Sequence, residues 1–332
     1  MKIIRLILFP VVPIYYLVTK LRNWLYDAGI KPSKSYDFSV ICVGNLSTGG
    51  TGKTPMIEYL IRLLKGKHRV ATLSRGYKRK SEGFVLGNVN ETSETLGDEP
   101  FQFYKKFNDI QVAVDADRQN GIELLRKLNP QPEVILLDDA FQHRKVKAGF
   151  NILLTSYDNL FYKDIVLPTG NLREPRSGYK RADFIVVTKC PKNLSDLEKT
   201  NIVNGVNPVE SQHVFFSNIR YSKNVYSINN EMVLTNLPEF TLVTGIANPK
   251  PLVNHLNELG LSFEHLEFKD HYHFSESDIQ KLNRKELILT TEKDFVRLNG
   301  YESLIDKLYY LPIEINIDDS DRFARLVSKA TN

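Results

Sequence analysis

The residues best suited to chemistry stand between positions 45 and 55. There Asn45-Leu46-Ser47-Thr48-Gly49-Gly50-Thr51-Gly52-Lys53-Thr54-Pro55 follows an apolar run. A glycine-rich turn between a strand and a helix lets successive backbone N–H groups wrap a phosphate, and the helix dipole adds a favourable field. In such a loop Lys53 would reach the β- and γ-phosphates of a nucleotide and Thr54 would ligate Mg²⁺. The match to the general phosphate-loop pattern is imperfect, because Ser47 holds the place of its first glycine. A second carboxylate source for the metal is Val134-Ile135-Leu136-Leu137-Asp138-Asp139, four apolar residues followed by two acids. Adjacent carboxylates repel unless a cation or proton compensates, which points to Mg²⁺ at Asp138 and Asp139 rather than to a solvated acidic pair. Guanine specificity would ask for an Asn/Thr-Lys-x-Asp run. Thr188-Lys189 begins one, but Pro191 stands where the acid should be, which weakens a GTPase reading.

Such side chains need a scaffold that sets strand ends beside helix starts. Residues 38–45, 70–76, 110–118, 134–139, 150–157 and 183–189 read as strands, and 55–65, 99–107 and 119–128 as helices. Strands alternating with helices predict βαβ units. The expected fold is therefore α/β, a phosphate-loop NTPase-like, mostly parallel sheet flanked by helices. The end of a parallel strand, where Asp138 and Asp139 fall, is where open α/β sheets bind ligands. Near residue 210 the pattern changes to alternating, aromatic strands without an obvious crossover helix, followed by a smaller α/β unit. Single cores stop growing near ~250–300 residues, so two domains are expected: 38–210 with the phosphate loop and 211–332 as the smaller unit, after a separate segment 1–37.

Composition narrows the partners. Lys and Arg number 44 against 39 Asp and Glu, a net charge of +5. Six of the bases (Lys2, Arg5, Lys20, Arg22, Lys31, Lys34) and only Asp27 and Asp37 lie in residues 1–37, so the remaining body is almost neutral. This excludes a chain basic throughout that coats nucleic acid. Cys42 and Cys190 are too far apart in sequence to suggest a disulfide framework or a zinc site. Leu6 to Val18 is uncharged between flanking bases, but it is shorter than the ~20 residues a membrane span needs, and Pro10 and Pro13 are expected to interrupt it. A signal peptide would want a small-residue cleavage site, which the following residues do not supply. A segment lying in a membrane interface accounts for the bases, Trp24 and Tyr15-Tyr16 together. A buried helix of the globular body is the alternative, and periodicity alone does not separate the two.

Further motifs stand at strand ends and in loops: Ser74-Arg75-Gly76-Tyr77, Gly97-Asp98-Glu99-Pro100, Asp117-Arg118, Asp138-Asp139-Ala140-Phe141-Gln142-His143, Leu167-Pro168-Thr169-Gly170-Asn171-Leu172-Arg173-Glu174-Pro175, Phe268-Lys269-Asp270-His271 and Thr291-Glu292-Lys293-Asp294. Together with the loop at 45–55, and in this order, they closely resemble the tetraacyldisaccharide 4′-kinase family of lipid A biosynthesis. The resemblance implies transfer of the ATP γ-phosphate, with Mg²⁺, to the 4′-hydroxyl of tetraacyldisaccharide 1-phosphate, giving lipid IVA at the cytoplasmic face of the bacterial inner membrane. It also accounts for Ser47. By the same resemblance Ser47 to Thr54 hold the nucleotide, Lys53 serves catalysis, and Thr54, Asp138, Asp139 and Glu174 surround the metal. Asp98 resembles a catalytic base and His271 the histidine paired with it. Arg75, Tyr77, Arg118, His143 and Arg173 resemble residues lining the phosphates and sugar head group. The run Asp270-His271-Tyr272-His273 departs from two adjacent histidines, which leaves His271 and His273 both open as the partner of Asp98.

Physical chemistry gives each role an ordinary counterpart. A sugar hydroxyl is a poor nucleophile and gains from a carboxylate that takes its proton, yet Asp98 before Glu99-Pro100 also suits a helix cap. Thr291-Glu292-Lys293-Asp294 would serve equally to face an adenine or to cap the next helix. A nucleotide switch that docks on membranes is the competing class. A protein with a vestigial loop is a third, and the intact Lys53, Thr54, Asp138 and Asp139 argue against it.

Overall fold

The computed structural model describes residues 5, 7–270 and 272–331. Its larger sheet begins with β1 (Ser39–Asn45), β2 (Val70–Ser74), β3 (Val85–Leu86), β4 (Gln111–Val114), β5 (Val134–Asp138), β6 (Phe150–Ser156), β7 (Phe184–Thr188) and β8 (His213–Tyr221). Side chains alternate across these strands, and on both faces they meet apolar layers. Val40, Cys42, Ile135, Leu137, Ile185 and Val187 enter one core. Ile41, Val43, Val134, Leu136, Phe184 and Val186 enter the other. Helix Lys53–Leu64 covers the second face with Met56, Ile57, Leu60, Ile61 and Leu64, one stripe of a 3.6-residue period.

The smaller sheet follows as β9 (Asn224–Tyr226), β10 (Glu231–Val233), β11 (Phe240–Thr244), β12 (Phe263–Glu267), β13 (Ile288–Thr291) and β14 (Leu308–Leu311). β15 (Ile313–Ile317) then returns to the larger one. The strand orders are β15-β8-β7-β6-β1-β5-β2-β4-β3 and β10-β9-β14-β13-β11-β12. In the larger sheet β4, β2, β5, β1, β6, β7 and β8 are parallel, while β3 and β15 close the edges antiparallel.

Residues 213–221, placed with the second unit on sequence, thus belong to the first sheet. The reason is the crossover helix Asp196–Val206, which Ser195 and Glu198 start with a capping box and which buries Ile202 and Val206. Helix Ser320–Thr331 likewise packs Phe323 and Val327 into the larger core beside Phe184 and Phe215. On sheet membership the larger unit runs through residue 221 and resumes at 313.

A short 3₁₀ turn at Phe9–Val11 leads into the helix Val12–Asp27. Pro10 and Pro13 lie in first turns, where the missing N–H has no intrahelical partner to lose, so they start the helix instead of interrupting it. Among the described residues no helix is long and apolar enough to cross a membrane.

Candidate active site

The carboxyl ends of the parallel strands bring together the loops the sequence singled out. The phosphate loop leaves β1, Arg75 leaves β2, Arg118 opens a helix after β4, the Asp pair ends β5, and Lys189 follows β7. Gly44 allows the closest approach: a Cβ there would stand 2.6 Å from Cβ of Phe141, so the turn after the Asp pair lies directly on β1.

The loop is braced from both sides. Its first half pairs with the 171–172 segment through a bridge between Ser47 and Leu172 and an N–H of Thr48 donated to Asn171 O at 2.8 Å. Asn45 Nδ2 donates to Thr51 Oγ1 at 2.8 Å. At the end of β7, Thr188 Oγ1 donates to Thr51 O at 2.8 Å and, one residue on, Lys189 Nζ to Gly50 O at 2.6 Å. The Thr188-Lys189 run that failed as a guanine motif therefore anchors the loop. Burial, aided by the charge of Lys53, pulls the Lys189 ammonium below its ordinary value. Gly49, Gly50, Gly52 and Thr54 complete the turn into helix Lys53–Leu64.

Asp138 and Asp139 share a strand end but not an environment. Asp139 adopts φ 50°, which turns it away from its neighbour. Its Oδ1 lies 3.7 Å from Lys53 Nζ and accepts from Arg173 Nη1 at 2.9 Å. Asp138 is buried, and burial together with Asp139 pushes its carboxyl up to about 7 against the pull of Lys53. Ser74 Oγ donates to its Oδ2 at 3.3 Å, and its Oδ1 has no hydrogen-bond partner among the described residues. A buried carboxylate oxygen left unsatisfied beside a second acid offers the oxygen ligands a hard divalent cation suits. Glu174, expected near the metal, is engaged elsewhere. Its Oε2 accepts from Asn23 Nδ2 at 2.5 Å, and its Oε1 from Gln142 Nε2 and Arg181 Nη2 at 2.9 Å each.

The Asp98 loop reaches the same edge. A Cβ on Gly97, whose φ is +90°, would stand 3.3 Å from Tyr77 O, so this turn packs against the Gly76-Tyr77 backbone. Asp98 is the first residue of helix Asp98–Lys106 rather than its cap. Its Oδ2 accepts from Arg297 Nε at 3.0 Å and Nη2 at 2.5 Å. Arg297 lies on helix Glu292–Leu298 of the smaller unit and also pairs with buried Asp294 at 3.0 Å. His271 lies outside the described residues, and His273 is exposed. The 291–294 run caps its helix, Thr291 Oγ accepting from Asp294 N. It also sends Glu292 to Lys106, which is bonded to Glu58 of the phosphate-loop helix. Lys293 Nζ lies 3.4 Å from Glu99.

Among the remaining expected residues, Arg75 and Tyr77 are exposed on the loop after β2. Arg118 is buried and donates to the carbonyls of Asp115 and Ala116 at 3.1 and 3.2 Å; burial lowers its guanidinium from the ordinary value and Asp138 opposes that. His143 is half-buried, and burial and then Arg118 push its imidazole down to about 4, so it is neutral near pH 7. Sequence reasoning missed Arg297, Lys189 and Asn23, and quoted Gln142 within its motif without giving it a role. Only Lys189 had a local signal, in the motif it begins.

Three comparisons bear on this site. The tetraacyldisaccharide-1-P 4′-kinase family matches residues 4–332. A tetraacyldisaccharide 4′-kinase of Flavobacterium johnsoniae is 55% identical over 95% of this chain and 93% of its own, and one of Bacteroides thetaiotaomicron is 44% identical over 95% and 90%. The crystal structure of LpxK from Aquifex aeolicus in complex with ATP superposes with a TM-score of 0.79 at 32% identity, covering 99% of this chain and 100% of that one. Phosphate loop, paired acids and matched length agree, and the chain belongs to the tetraacyldisaccharide-1-P 4′-kinase family, ATP-dependent kinases of lipid A biosynthesis.

Proposed function

We propose that the carboxyl edge of the larger sheet is where this kinase passes the ATP γ-phosphate to the 4′-hydroxyl of tetraacyldisaccharide 1-phosphate, at a membrane surface on the cytoplasmic side of the inner membrane. The carrying observation is that Lys53 and Arg173 both reach Asp139 at that edge, with the buried carboxyl of Asp138 next to it in the chain. In this reading the N–H groups of residues 47–54 cradle the phosphates, and the Lys53 ammonium neutralises charge that builds on the oxygens in flight. Thr54, Asp138 and Asp139 would hold Mg²⁺, which when bound supplies charge neutralisation to the phosphate oxygens. Glu174 stands behind this set as a support.

Asp98 accepts the proton of the attacking hydroxyl. The Arg297 guanidinium holds its carboxylate in one orientation. Arg75, Tyr77, Arg118, His143 and Arg173 line the approach, with the neutral imidazole of His143 acting as a hydrogen-bonding group rather than a cation. The lipid meets the outward face of helix Val12–Asp27, where Ile14, Leu17, Val18, Leu21 and Trp24 are exposed on one stripe.

The test is a lipid phosphorylation assay with Mg·ATP and tetraacyldisaccharide 1-phosphate in detergent. The wild-type chain is expected to give the bis-phosphorylated lipid, and Lys53→Met or Asp138→Asn to slow it by at least about a hundredfold while the protein stays folded. A rate that either substitution leaves unchanged would contradict the site assignment.

A further inference from the structure

Helix Val12–Asp27 presents its polar side inward. Asn23 is its one buried residue, 8% exposed, and its Nδ2 meets Oε2 of Glu174, itself 2% exposed, at 2.5 Å. The other oxygen of Glu174 holds Gln142 Nε2 and Arg181. Gln142 Nε2 donates in turn to Asn45 O at 2.9 Å, at the mouth of the phosphate loop. Two flanking contacts reach the same loops: Arg22 Nη2 donates to Gln142 O at 2.8 Å and Tyr15 Oη to Arg173 O at 2.9 Å. Arg173 then closes the circuit, its N–H on Leu46 O at 2.7 Å and its guanidinium on Asp139.

We infer that Asn23 is a positioning residue of the phosphate site, fixing Arg173 and Gln142 against the phosphate loop and Asp139 through the buried carboxylate of Glu174. The N-terminal helix is thus part of the catalytic architecture as well as a docking element. Removing the amide leaves a buried carboxylate oxygen without its donor, which is costly enough to rearrange the loops that Glu174 ties together. The inference rests on the reading of Asp139 and Arg173 as phosphate-site residues.

Asn23→Leu, Glu174→Gln and the double variant test it, with Arg22→Met as a partly exposed second probe in case the buried substitutions fail to fold. Each single variant is expected to lower kcat about tenfold with the KM for ATP within about twofold. The double variant is expected to be no worse than the poorer single, because the two residues act as one unit. In the protein without nucleotide or metal, the Arg173 amide should exchange its hydrogen at least about tenfold faster in Asn23→Leu. Binding of Asn23→Leu and Glu174→Gln to anionic vesicles should not change, since the outward stripe and the bases of the segment are untouched. Wild-type kcat and wild-type Arg173 exchange in Asn23→Leu would overturn the inference. So would a tenfold higher Mg²⁺ requirement in Glu174→Gln that Asn23→Leu does not share, which would make Glu174 a metal ligand. Full activity in Asp139→Asn would instead remove the underlying site reading while leaving the exchange result standing.

Discussion

Asp138 shows what a single side chain gives up for function. A carboxyl that burial lifts from 3.8 to about 7 holds its proton more tightly in the folded chain than in the unfolded one. Its contribution to stability is therefore fully present below about pH 4 and lost as the pH rises through about 7. Asp138→Asn removes that loss. Its melting temperature relative to wild type, both without metal, is expected to rise between pH 5 and pH 8, to an advantage on the order of 2 kcal/mol at pH 8, while kinase activity collapses. Thermal melts across that range check it, and a pH-independent difference would contradict it. Asp138, Asp139 and Lys53 were legible because each sits in a short motif whose neighbours declare a strand end or a helix start. Arg297 was not, since 199 residues separate it from Asp98 and no local pattern marks the pairing. Glu174 was read as a metal neighbour from resemblance, and of the residues that claim its oxygens Asn23 and Gln142 come from distant parts of the chain and Arg181 from the turn that follows.

At the level of elements, the strands of the larger sheet were legible because burial on both faces leaves near-continuous apolar runs, as in Val134–Leu137. Helix Asp196–Val206 was harder to see. Only Ile202 and Val206 are buried on it, so its apolar stripe is thin, and the Ser195–Glu198 box was its clearest signal. Without that crossover, β8 looked like the start of something new. The N-terminal helix posed a different ambiguity, because its apolar residues suit a core and a lipid interface equally. Its inward side carries Tyr15, Arg22 and Asn23, and its outward side Leu17 at 62% and Leu21 at 56% exposure. Leu17→Glu with Leu21→Glu is expected to weaken binding to anionic vesicles at least about tenfold while ATP affinity stays unchanged. Vesicle co-sedimentation decides this, and undiminished binding would remove the docking role.

Across the whole molecule, ion pairs tie the unit with the larger sheet to the unit with the smaller one. Lys106 sits between Glu58 of the phosphate-loop helix and Glu292 of the smaller unit, and Arg297 crosses the same boundary to Asp98. The smaller unit thus braces the helix that begins with the candidate base. In the proposed reading Asp98 is the residue where nucleotide site, acceptor and second unit meet. The most direct test of the account is steady-state lipid phosphorylation by Asp98→Asn, with Mg·ATP and tetraacyldisaccharide 1-phosphate varied in turn. If Asp98 takes the hydroxyl proton, kcat is expected to fall by about 10²–10⁴-fold with the KM for ATP within about threefold. A variant that keeps its kcat, or that loses ATP affinity as much as rate, would contradict it.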